Sequence, residues 1–160
     1  MKIYIVLALS IFSFALASEA DHIIFQTIIT NPDDAESISI FNPTSNSIDL
    51  SDYYISDAEY RLIGKNYYNL PSGDNFWSGS ARDFIVKFPE NTMIESGESL
   101  IIGINNQSIF ESYYGFQADF TILDDMLNVV GNENTIGDSP DLFDNYESLI
   151  LFKWDGNQNS

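Results

Sequence analysis

The sequence predicts an all-β domain, a sandwich or a barrel, and three observations carry that expectation. Apolar and β-branched residues gather in short runs, several of them alternating with polar residues. Asn, Pro, Gly and Asp punctuate those runs, and helical spacing is confined to one short segment. The chain has 160 residues, 44 % hydrophobic and 14 % aromatic, enough apolar material for one core despite a formal net charge of −18.

The first segment reads as an address. Met1-Lys2 is a short basic start, Ile3 to Leu16 is almost unbroken apolar sequence, and Ala15-Leu16-Ala17 has the small-x-small form read by signal peptidase. A signal peptide over residues 1–17 is expected, leaving residues 18–160 one charge more negative once Lys2 is gone. The other reading, a membrane anchor, is opposed by a run shorter than the roughly 20 residues that span a bilayer. The expected location is secreted or cell-surface, with no membrane insertion after cleavage. Export of a chain without Cys leans toward a bacterial source.

The strands follow in order. His22 to Thr30 is an apolar, β-branched run stopped by Asn31-Pro32-Asp33-Asp34, and Ser37 to Phe41 puts Ile38 and Ile40 on one face before Asn42-Pro43. Ile48-Asp49-Leu50 and Tyr53 to Ser56 are short extended pieces. Phe84 to Phe88 sets Phe84, Val86 and Phe88 opposite Lys87, and Leu100 to Ile104 is continuously apolar, as in a strand buried on both faces. Ser148 to Trp154 sets Ile150, Phe152 and Trp154 against Leu149, Leu151 and Lys153. One helix is expected at Ser108-Ile109-Phe110-Glu111, which has capping-box form. Ile109, Phe110, Tyr113 and Tyr114 would pack on a sheet, and Gly115 would end the helix.

The chain end predicts more chain. Asp155-Gly156 is a strong two-residue hairpin signal after an apolar strand, so residues 18–160 are expected to be a domain truncated at its C-terminal hairpin, the first of a larger protein. The alternative is a frayed polar tail on a complete domain.

Composition excludes most chemistry. Without Cys there is no disulfide, thiolate nucleophile or cysteine metal site, and His22 alone excludes a two-histidine site. His22 is also the sole base available to a serine triad, and its place at a strand start fits a solvated residue. No Gly-x-Ser-x-Gly elbow, Walker loop or Gly-x-Gly-x-x-Gly occurs. The 24 acids mark no glycosidase pair, and with 6 Lys plus Arg they disfavour nucleic acid. The expectation is a non-enzyme with no cofactor.

Two loop regions hold the candidate sites. Asp138, Asp141 and Asp144 recur at three-residue spacing and could hold calcium; the alternative is a solvated acidic loop. Tyr67, Tyr68, Phe76 and Trp77 lie in a Gly- and Ser-rich stretch, where they would contact a glycan or protein ligand or fold back as a lid.

One resemblance spans roughly Ile23 to Asp155. Ser39-Ile40-Phe41-Asn42-Pro43-Thr44, then Ile48-Asp49-Leu50-Ser51-Asp52-Tyr53, then Phe88-Pro89, Ser96-Gly97-Glu98 and Leu100-Ile101-Ile102 follow one another as in the lamin-tail domain. The chain resembles the bacterial exported members of that family. It departs from their usual residues at Ser39, at Asp52-Tyr53 and at Gln26-Thr27, and residues 66–82 look inserted. The resemblance implies an immunoglobulin-like β-sandwich with one short helix and no disulfide, acting as a non-catalytic interaction, adhesion or targeting module. Two alternatives stand beside it: an accessory domain of a secreted nuclease or phosphoesterase whose catalytic part lies beyond Ser160, and a carbohydrate-binding module.

Overall fold

Alternation of period two turns into strands, and the strands form three sheets. The computed structural model describes residues 20–57, 81–131, 134–142 and 148–157. In chain order the elements are β1 (Ile24–Ile29), a 3-10 turn (Asp33–Ala35), β2 (Ser37–Phe41), β3 (Ile48–Asp49), β4 (Tyr53–Ser56), β5 (Ile85–Lys87) and β6 (Met93–Ile94). These are followed by β7 (Ser99–Gly103), α1 (Gln107–Tyr114), β8 (Phe120–Thr121), β9 (Leu127–Asn128) and β10 (Ile150–Lys153). The regular elements of the described chain are therefore mostly β-strands, with one short α-helix, and the sequence has no Cys.

One sheet has the order β1-β2-β7-β8, the second β10-β4-β5-β9, and β3 and β6 form a small third. All pairings are antiparallel except β7 with β8. The two larger sheets share a core: Ile38 and Ile40 of β2 and Leu100 and Ile102 of β7 belong to the same cluster as Ile55 of β4 and Val86 of β5. Burial of this apolar surface is the main term favouring the fold.

The expected strand faces hold. Phe84, Val86 and Phe88 are fully buried in that core. Ile85, one residue out of phase, joins Tyr54 and Val129 in a second cluster, with Phe152 and Trp154 against it. Along β10, Leu149 and Leu151 pack on the first cluster while Phe152 and Trp154 pack on the second. Lys87 does point away from Phe84, Val86 and Phe88, yet it is buried along its length and reaches Glu90 with its ammonium. Ile101 departs from the expected two-sided burial of β7, being only half-buried, and its N–H donates to the Asp119 carboxylate at 2.7 Å.

Tyr54 stacks on Phe152 with ring centroids 5.3 Å apart. Burial pushes its hydroxyl up to about 12, and the charges of Asp52, Glu90 and Asp155 add to the rise. The ordinary value is 10.0, so the folded state favours the neutral phenol. Its stabilising contribution is complete below that ordinary value and is lost as pH rises through about 12. In an ultraviolet titration, Tyr54→Phe should remove an ionisation step near pH 12 that the wild-type protein shows, with wild-type stability falling across the same window. An unchanged titration in the variant would contradict this.

Asn42 closes β2 in a way that turn propensity does not describe. It is fully buried. Its Nδ2 donates to the carbonyls of Asn46 at 2.7 Å and Ile94 at 3.0 Å, while Oδ1 accepts from the Thr44 N–H and hydroxyl at 3.0 and 2.8 Å. Its backbone N–H donates to Glu98 and its carbonyl accepts from Gly97. One amide thus joins the turn after β2 to the turn between β6 and β7. Asp49 works similarly: its carboxylate accepts from the Ser51 N–H and hydroxyl, which lowers its pKa, and Ser51 Oγ in turn accepts from Asn91 N–H at 2.8 Å.

The helix starts earlier than the capping-box reading places it. Asn106, in extended conformation, is the N-cap, and its Oδ1 accepts from Ile109 N–H at 3.0 Å and from the Ser108 hydroxyl. Ser108 therefore lies inside the first turn. Gly115 ends the helix as expected, at φ 75° with its N–H on the Glu111 carbonyl. Gln107 pins the helix start to the chain before β8, exchanging two hydrogen bonds with Ala118.

Gly103 is where α1 meets β7. A Cβ there would stand 2.9 Å from Phe110 Cδ2 and 3.2 Å from Thr121 Cγ2. Gly103→Ala should therefore cost about 1–3 kcal/mol through overpacking. Urea unfolding would measure it, and a stability equal to wild type would show that α1 shifts freely.

Candidate functional site

The aromatic surface around α1 is built from its two neighbouring i, i+4 rows. Phe110 is buried against Gly103 of β7, the place where glycine makes room for a ring. One turn on, Tyr114 lies against Phe110 with ring centroids 4.6 Å apart, and its hydroxyl donates to the Ala35 carbonyl at 2.8 Å. That bond ties the helix to the 3-10 turn before β2. Phe116, just past the helix end, meets Phe110 edge-on at 5.6 Å and Tyr114 at 5.7 Å, an apolar contact of the kind that accompanies a glycine stop. Tyr113 leans on Tyr114 at 5.0 Å with ring planes 72° apart.

The four rings differ in what they show to solvent. Phe110 and Tyr114 are buried and half-buried, whereas Tyr113 is 54 % and Phe116 48 % exposed. The expectation that Ile109, Phe110, Tyr113 and Tyr114 all pack on the sheet is therefore corrected at Tyr113. Tyr114 is held by Phe110 and by its bond to the Ala35 carbonyl, whereas Tyr113 leans on Tyr114 and keeps more than half of its surface exposed. Two exposed rings rest on two anchored ones and keep about half of their surface toward solvent.

The rim of this surface is acidic and polar. Glu111 on the helix accepts from Gln117 Nε2 at 3.3 Å, and both residues are exposed. Asp33 and Asp34 are exposed on the 3-10 turn that ends at Ala35, the residue Tyr114 bonds.

The residues singled out from sequence are distributed differently. Asp141 forms an ion pair with Arg82 at 3.0 Å, and its N–H donates to the Arg82 carbonyl, fastening this segment to the turn that leads into β5. Asp138 is exposed. Asp144 lies outside the described residues, as do Tyr67, Tyr68, Phe76, Trp77 and the signal peptide expected over residues 1–17. Among the described residues no group of three or more His, Asp or Glu side chains is placed to hold a metal ion. Likewise, no helix among them is long and apolar enough to cross a membrane. His22 is exposed and its Nδ1 is 2.8 Å from Asp21, a hydrogen bond that lowers the Asp21 pKa. The chain bends at Asp155-Gly156, where Asn157 N–H donates to the Asp155 carboxylate at 2.8 Å.

No protein-family model matches this chain, and no curated protein or solved structure matches it either.

Proposed function

We propose that this chain is a non-catalytic binding module of an exported protein, built as an immunoglobulin-like β-sandwich of the lamin-tail type, and that the α1 face carries its ligand contact. The observation that carries the reading is the pair of exposed rings, Tyr113 and Phe116, braced by Phe110 and Tyr114. Exposed aromatics on a rigid support are what binding surfaces use, because little rotamer freedom is lost on contact. The two sheets on one core, and Asn42 joining two turns at the Phe41-Asn42-Pro43 motif, support the sandwich reading. The basic start, the apolar run Ile3 to Leu16 and the small-x-small pattern Ala15-Leu16-Ala17 support the export part of the reading.

The test is retention of the labelled protein on cell-envelope and extracellular fractions, compared with a Tyr113→Ala/Phe116→Ala variant. Saturable retention by wild type and its loss in the variant is the expected result. Equal retention by both would remove α1 as the contact face, and finding the protein inside the cell would remove export.

A further inference from the structure

The α1 surface combines exposed π-faces with carboxylates and has no cation in its own sequence neighbourhood. Tyr113 and Phe116 supply the rings, with Tyr114 between them, and Glu111, Asp33 and Asp34 are exposed on the helix and on the adjoining turn. All six Lys and Arg of the chain fall outside residues 3–60 and 88–152, the stretches that contain the turn and the helix. A ring face is electron-rich and attracts a cation placed over it, Arg most of all, and nearby carboxylates reinforce that attraction. A net charge of −18 adds long-range steering toward positively charged partners.

We propose that the ligand of this face is a cationic peptide segment, held by Arg or Lys side chains over Tyr113 and Phe116 and paired at their edges with Glu111, Asp33 and Asp34. The proposal rests on the binding-module reading and names its ligand class. A neutral sugar would stack on the same rings and donate its hydroxyls to the carboxylates, but it would gain no net Coulombic attraction or long-range steering from them, so the charge around the rings favours the peptide.

The experiment titrates the protein with an oligo-arginine peptide and, separately, with a neutral oligosaccharide, following amide shifts by NMR and affinity by calorimetry. The expected result is saturable peptide binding with shifts centred on residues 107–117. Tyr113→Ala/Phe116→Ala should weaken it about tenfold while circular dichroism stays unchanged. Glu111→Gln/Asp34→Asn, which keeps the rings, should weaken it several-fold. A control that removes charge elsewhere, Asp52→Asn/Asp138→Asn, should weaken binding less than Glu111→Gln/Asp34→Asn does, since neither residue lies on α1 or on the 3-10 turn. An equal loss in the control and the ring variant would overturn the proposal in favour of diffuse attraction to an acidic protein, and so would the absence of saturable peptide binding. Oligosaccharide binding at α1 without peptide binding would overturn the cationic ligand while leaving the module reading intact. If neither probe shifts α1 and the envelope assay is also negative, the module reading falls with it.

Discussion

Asn42→Ala is expected to lower the unfolding free energy by about 2–4 kcal/mol, roughly 5–15 °C in melting temperature for a chain of this size. The side chain forms four hydrogen bonds, and its removal strands the Ile94 carbonyl, in a buried position where water does not readily replace the donor. The Asn46 carbonyl and the Thr44 N–H are less enclosed, which keeps the expected cost below the sum of four full penalties. Asn42→Asp separates shape from hydrogen bonding. It keeps the acceptor for Thr44 but turns a carboxylate toward two carbonyls, so at neutral pH it should be at least as destabilising as alanine. Folding would raise the pKa of that carboxyl, so the variant should regain stability as pH falls and the group becomes a donor. Chemical denaturation at neutral and acidic pH measures both effects. A loss under about 1 kcal/mol for Asn42→Ala would show that the two turns hold together without the amide.

Phe88→Ala should cost about 3–5 kcal/mol. Phe88 follows β5 in one sheet, is fully buried, and meets Phe120 of β8 in the other sheet edge-on at 5.7 Å. Its truncation opens a cavity where the two sheets touch and removes an aromatic pair as well. Phe88→Leu keeps most of the volume and should cost less than half as much. The comparison is made by urea midpoint at constant slope, since a changed slope would report an altered denatured or native state instead. Equal effects of leucine and alanine would locate the contribution of Phe88 in its ring contact with Phe120 rather than in filled volume.

Much of the strand architecture is legible in the residue pattern alone. The alternation in Phe84 to Phe88 and in Ser148 to Trp154 separates Phe84, Val86, Phe88, Leu149 and Leu151 from Ile85, Phe152 and Trp154 as the two clusters do, because period two is a property of the extended backbone itself. The order β1-β2-β7-β8 and the parallel pairing of β7 with β8 are not legible there. The β2–β7 pairing joins segments far apart in the chain, and although β7 and β8 follow one another across α1, no local pattern encodes which strand meets which. The capping-box pattern sets the helix start two residues late for a local reason: Asn106 and Ser108 are both good caps, and Asn106 prevails with an extended backbone and a bond to Ile109 N–H. For the candidate site, the four aromatics of α1 and its end are visible in the sequence, but their division into anchors and exposed rings is not.

The sequence by itself determined the strand faces, the Asn42-Pro43 stop, the Gly115 helix end and the exclusion of cysteine chemistry, since each depends on residues within a turn or two of one another or on composition. The tertiary structure alone decided that Asn42 fastens a second turn more than fifty residues away, that Gly103 makes room for Phe110, and that Tyr113 and Phe116 face solvent. The physical reason is the same in all three: burial and hydrogen-bond partnership depend on what the fold brings across from a residue, and that surface comes from distant parts of the chain.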